Sequence, residues 1–342
     1  MENYLRPWII ALLFASLGSS VAWVRGAITS IPILRRFNPE ARNEAQIALE
    51  KRAELASRFI SLGALASVVA FFTLILGADH ASKDIEGAMC AHGVIHSNPY
   101  GPLALGAAAG VALIGLVFLE LHRLDLRSPI PALVRPQFFA FLFAAPLAIY
   151  SSHLTLQFVQ ELDFSIVATC CSSGLTSNLS RGDSLPSTTP ALPFFGSLFA
   201  LLLASSLAFL ARRSTAHSRL FALLSATAAL LAMATNASAL TSTIAPHLYE
   251  TPTHRCAFCL LSPPEIAFGA PYLVAFFILL IGWIRTTLGA AFYNHQSIGE
   301  SARDFMKSGA RLLILGAVAL MLISSFPVIR YRVIADGTLF GW

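Results

Sequence analysis

The chain has 342 residues, 56% of them hydrophobic and only 12% charged. A soluble domain carries about a quarter of its residues as charges, so water is excluded as the solvent for most of this surface, and hydrocarbon takes its place. The formal charge of +5 therefore reports how the chain is oriented across a lipid bilayer and does not point to nucleic acid.

In chain order, Met1 to Arg25 has one basic residue ahead of its apolar stretch and no small-residue cleavage site, so it reads as a retained first helix and not a signal peptide. Apolar runs long enough to cross about 30 Å of hydrocarbon fall near 8–24, 59–78, 103–121, 137–156, 193–211, 220–240, 268–284 and 312–329. None holds a central charge. Backbone groups in lipid must be satisfied within their own segment, so each run is expected to be a helix. The fold class is an all-α polytopic transmembrane bundle of about eight spans. Between the first two runs, Asn38-Pro39-Glu40 has the composition of a helix start, and Ala41 to Arg58 is rich in helix formers. A cytoplasmic helix at 39–58 is expected to run directly into the second span.

Orientation follows from the basic residues. With both termini on the non-cytoplasmic side, 17 of the 23 Lys and Arg residues fall in inner segments and six in outer ones. That arrangement puts all five cysteines on the outer face.

Two stretches resemble each other. Cys90-Ala91-His92-Gly93-Val94-Ile95 is followed by Ser97-Asn98-Pro99 and a span, and Cys256-Ala257-Phe258-Cys259-Leu260-Leu261 by Ser262-Pro263-Pro264 and a span. The spans after these rhyme as well, with Tyr150-Ser151-Ser152 in one and Ile323-Ser324-Ser325 in the other. The expected organisation is two four-helix halves, 1–156 and 193–342, joined through an outer loop at 157–192.

The chemistry-bearing residues are the five cysteines, Cys90, Cys170, Cys171, Cys256 and Cys259. The outer face is the oxidising one, where disulfides persist, and structural crosslinks are one reading. Cys256-x-x-Cys259 admits a sharper one. Ser262 with Glu265 reads as a capping box with Pro263 at N1, which starts a helix about three residues beyond Cys259. The positive end of its dipole, with His254 and Arg255 alongside, would favour a thiolate. The adjacent pair Cys170-Cys171 suits either a strained, easily reduced disulfide or a soft metal. Cys90-x-His92-x-x-x-His96 and His254-x-Cys256-x-x-Cys259 also have the ligand types of a copper, zinc or haem site.

His254-Arg255-Cys256-Ala257-Phe258-Cys259 at the mouth of a helix resembles the redox motif of the vitamin K epoxide reductase and DsbB-type membrane oxidoreductases. The resemblance implies a four-helix core in which Cys256 and Cys259 exchange electrons with a quinone, with Cys90, Cys170 and Cys171 as shuttle cysteines toward an extracytoplasmic thiol protein. Two other classes fit the residues. One is a metal- or haem-handling membrane protein using His92, His96 and His254. The other is a non-catalytic subunit of a larger respiratory or photosynthetic membrane complex. The absence of any Asp, Glu, Lys or Arg in mid-span argues against an ion-coupled transporter.

Overall fold

The structure is a computed structural model. It describes residues 6–38, 41, 43–88, 90–127, 133–165, 191–214, 216–251, 254–261, 265–337 and 339, the side chains of 135–137 and 139–141 excepted. Among these residues there is no strand. The chain order is α1 (Pro7–Arg36), α2 (Glu44–Ala81), a 3-10 turn (Ser82–Asp84), α3 (Ala91–Ile95), α4 (Tyr100–Asp125) and α5 (Val134–Gln160). There follow α6 (Ala191–Arg213), α7 (Ser218–Ala239), a π-helical turn (Leu240–Ile244), α8 (Ala245–Leu248), a 3-10 turn (Phe258–Leu261), α9 (Ile266–Ala291) and α10 (Gly299–Ile334). Eight helices among the described residues are long and apolar enough to cross a membrane, and each contains one of the eight expected runs. The protein is an integral multi-pass membrane protein.

The burial pattern shows why. In α7 most of the buried positions are small, among them Ala222, Ser225, Ala226, Ala228, Ala229 and Ala232. Its large side chains, Leu220, Leu223, Leu224, Leu230 and Leu231, point outward. A water-soluble bundle would do the reverse. In lipid, large apolar side chains lose nothing by facing the hydrocarbon, while small ones let backbones approach and gain dispersion contacts.

The chain divides into two compact units, residues 1–168 with 296–298, and 169–295 with 299–342. In unit 1, α1 packs on α2 and α5, and α4 on the same two helices. In unit 2, α6 packs on α7 and α10, and α9 on the same two. Both units thus have the same cyclic order of neighbours. Unit 1 is drawn tight by Gly26 against Ile60, Gly63 against Trp23 and Gly115 against Ala64. A ladder of hydroxyls joins its helices. Ser16 donates to Ser152 (2.8 Å), Ser19 bonds Ser67 (2.6 Å), and the Trp23 indole donates to Ser67 (3.0 Å).

Two helix starts lie later than the sequence motifs place them. The helix expected at 39–58 begins at Glu44, with Asn43 as its N-cap. The Asn43 side chain accepts from Gln46 N at 2.9 Å, and Gln46 Oε1 in turn accepts from Asn38 N at 3.1 Å. Asn43 thus caps the helix through one side-chain bond, while Gln46 ties the preceding Asn38 back to the first turn. From there α2 runs unbroken to Ala81. The capping box expected at Ser262–Glu265 is also corrected. Helix α9 starts at Ile266 with Glu265 as N-cap and without a side-chain cap, while Ser262–Pro264 lie outside the described residues.

Candidate functional site

The region with the greatest density of reactive side chains is the connection between α7 and α9 in unit 2. It starts where α7 widens into the π turn. Pro246 lacks an N–H, and its ring opposes the carbonyl four residues back, so the helix relaxes its ladder just before it. Short π segments of this kind are often found at functional sites. His247 follows, 1% exposed. Its Nδ1–H donates to the Thr243 carbonyl at 2.7 Å, and its ring meets Tyr331 of α10 edge-on, centroids 5.4 Å apart. A carbonyl only accepts, so this bond assigns the proton to Nδ1.

The chain then reverses. Glu250 adopts a positive φ of 56° and pairs with Arg330 of α10 at 3.0 Å. Thr251 N donates to the Pro246 carbonyl, and His254 N to the Thr251 carbonyl. These bonds bring the His254 ring onto Tyr249, with centroids 3.9 Å apart. His254 Nε2 is buried and makes no hydrogen bond.

Arg255 is exposed, Cys256 half-buried and Cys259 buried. Cys259 sits in the 3-10 turn Phe258–Leu261, whose Leu260 N donates to the Ala257 carbonyl at 3.3 Å. The Cys256 and Cys259 sulfurs lie within 4.8 Å of each other. Gly269, in the first turn of α9, holds this turn in place from behind. A Cβ there would stand 1.9 Å from the Leu260 carbonyl oxygen, so only glycine lets the cysteine turn lie against the helix. Because α9 starts at Ile266, Cys259 is seven positions from the first helical residue. The macrodipole acts over about one turn, so the thiolate-stabilising helix end expected from the capping box is not supplied by chain position.

Unit 1 builds a related corner. Cys90, fully buried, is the N-cap of α3, and Gly93 N donates to its carbonyl at 3.1 Å. Asn98 then caps α4, its Oδ1 accepting from Tyr100 N and Gly101 N at 3.1 Å, while its Nδ2 donates to the Phe158 carbonyl. Here too a glycine in the first turn of the following span, Gly101, has a Cβ position 1.9 Å from a carbonyl of the preceding turn, that of Ile95. Sequence similarity alone misses Gly101 and Gly269; a glycine in the first turn of each third span is the signal that would have found them.

The structure thus brings Cys256 and Cys259 together. It stacks His92 of α3 on His96, the residue that ends that helix, ring centroids 4.0 Å apart, with His96 Nδ1–H donating to the His92 carbonyl. No histidine of either unit joins a cluster of three or more metal-ligand atoms among the described residues. Cys170 and Cys171 lie outside the described residues. No protein-family model, curated protein or solved structure matches this chain.

Proposed function

We propose that this integral membrane protein is a thiol–disulfide oxidoreductase with Cys256 and Cys259 as its redox-active pair. The observation that supports this reading is the arrangement of the pair: two sulfurs within 4.8 Å in one turn, Cys256 half-buried and Cys259 buried. Disulfide exchange needs one sulfur a partner can reach and a second that resolves the mixed disulfide. In the oxidised form, a partner thiolate attacks Cys256, releasing the Cys259 thiolate. The partner's second thiol then attacks the mixed disulfide, leaving the partner oxidised and both protein cysteines reduced. A quinone dissolved in the bilayer reoxidises the pair, taking two electrons and two protons to become the quinol. Both termini and all five cysteines are on the extracytoplasmic side, where Cys90, Cys170 and Cys171 are the candidates to relay oxidising equivalents. The quinone and the relay rest on the resemblance to the vitamin K epoxide reductase and DsbB-type enzymes.

The test is quinol formation by the purified protein with a dithiol as electron donor. C256S and C259S should each abolish it, because neither can form the disulfide that accepts the donor's two electrons. Full activity in the double variant overturns the assignment. A metal reading of the same pair has one observation in its favour: the spacing also accommodates one ion bound to both sulfurs through bonds of about 2.3 Å. One zinc or copper per chain, lost in C256S, would establish that reading in place of the first.

A further inference from the structure

A cleft of about 490 Å³ opens in unit 1 where the end of α4, the start of α5 and the Ala53–Ser61 stretch of α2 meet. Small-molecule sites run from roughly 300 to 1,000 Å³, so the cleft is large enough to be one. The apolar runs 59–78, 103–121 and 137–156 all terminate at this end of the unit. Arg35, Arg36, Lys51, Arg52, Arg123 and Arg127 are concentrated at the same end. The cleft is therefore at the depth of lipid head groups, on the face the basic residues assign to the inside.

Its walls carry both signs of charge. Glu54 and Asp125 supply carboxylates, Arg58 a guanidinium, and Ser57 and Ser61 hydroxyls, above an apolar floor that includes Val134 and Phe138. Asp125 is fixed by accepting from Leu133 N at 2.9 Å. Arg58 pairs with Glu54 one turn away, but their side chains are 75% and 64% exposed, and such pairs are weak enough to exchange partners. His122 supplies the observation that most asks for a ligand. Its ring is stacked on Phe118, centroids 5.5 Å apart, and its Nδ1 is buried without a hydrogen bond while the residue lines the cleft.

We propose that this cleft binds the head group of a phospholipid bearing a primary ammonium beside its phosphate. The two carboxylates disfavour a lone anion, and the guanidinium disfavours a lone cation. A zwitterion satisfies both. Glu54 and Asp125 receive the ammonium, and Arg58 donates to the phosphate together with His122, whose ring turns to bring its buried Nδ1 to the cleft, with the serine hydroxyls alongside. Leu55, Leu62 and Leu65 of α2 are exposed next to these positions and give the acyl chains an apolar wall. This commits the ligand to a lipid rather than a water-soluble phosphoethanolamine.

The full chain, purified in detergent and stripped of phospholipid, tests this through its thermal midpoint. Phosphatidylethanolamine should raise the midpoint at concentrations where phosphatidylcholine and phosphatidylglycerol do not. R58Q and H122A should each weaken that response about tenfold in lipid concentration, the loss of one hydrogen bond to a charged group. R58Q should leave the lipid-free midpoint unchanged because its side chain is exposed, so it keeps the test open if H122A does not fold. Equal responses to the three lipids overturn the head-group assignment, as does an unaltered response in R58Q. An equal response to soluble phosphoethanolamine overturns the lipid.

Discussion

Asn236 is wholly buried in unit 2, and a carboxamide in an apolar interior is costly unless its hydrogen bonds are made. Tyr272 donates to its Oδ1, and its Nδ2 reaches Ser324 Oγ at 3.4 Å. Asn236→Leu should lower stability by about 1–3 kcal/mol, because it strands the buried Tyr272 hydroxyl. Tyr272→Phe should also cost about 1–3 kcal/mol, since it leaves the buried Asn236 Oδ1 without its donor. Thermal unfolding in detergent measures both, and an unchanged midpoint in either variant would show that this bond does not hold the interior. At Gly269 the concern is geometry. Gly269→Ala must displace the cysteine turn, and a shift of the order of 1 Å at a reacting group can cost about 100-fold in rate. Dithiol-dependent quinol formation should fall by that order with both cysteines intact; an unchanged rate would remove Gly269 from the positioning of the pair. Asp163 accepts from both the amide and the hydroxyl of Ser165, at 2.8 and 2.7 Å. These bonds, the side-chain one foremost, hold its carboxyl below the ordinary value of 3.8. A depressed carboxyl favours the folded turn above that ordinary value, and the contribution disappears as pH falls through the lowered one. Hydrogen exchange at Ser165 N should therefore stay protected at neutral pH and lose protection only below about pH 4.

The pairing of α9 with α10 depends on glycines seven residues apart on each helix. Gly282 and Gly289 face Leu313 and Met306, and Gly309 and Gly316 face Thr286 and Leu279. Ideal Cβ atoms at Gly282, Gly309 and Gly316 would stand 2.4 to 2.6 Å from backbone nitrogens of the facing helix, so no side chain fits without the helices parting. Gly316→Leu should destabilise the protein by about 1–3 kcal/mol through overpacking. Gly196 in α6 is the control, with nothing within 4 Å of its Cβ position. Gly196→Ala should be neutral or stabilise by up to about 1 kcal/mol, the helix-propensity difference. Similar midpoints for the two variants would contradict close backbone packing as the basis of this helix pair. At the start of α2, the Asn43 cap is one hydrogen bond from the helix end, and Asn43→Ala should cost about 1 kcal/mol.

For the molecule as a whole, the proposed orientation, which puts 17 of the 23 basic residues in segments assigned to the inside, is testable. Ala216 lies exposed between α6 and α7, in a segment assigned to the inside. A cysteine placed there should resist a membrane-impermeant thiol reagent in intact cells and react once the membrane is opened, whereas Cys256 should react from outside after reduction. Labelling at position 216 in intact cells would invert the topology. The two units share a cyclic order of helices, and each has a glycine against a carbonyl at the head of its third span.

The eight spans were legible from composition alone, because crossing hydrocarbon needs an uninterrupted apolar run of fixed length and the backbone has no alternative to helix there. The helix running unbroken into the second span was legible too, because Ala41 to Arg58 is rich in helix formers. The caps at Asn38 and Ser262 were misplaced because several local signals competed, and which one prevailed depended on neighbours such as Gln46. Nothing in the hydropathy pattern marked Asn236, Tyr272 and Ser324 as partners, or Gly269 as the backing for Cys259. Those contacts join residues separated by up to 88 positions. Local sequence encodes solvent preference and hydrogen bonds within a few residues; contacts at that separation are set by how the helices pack, and only the tertiary structure decided them.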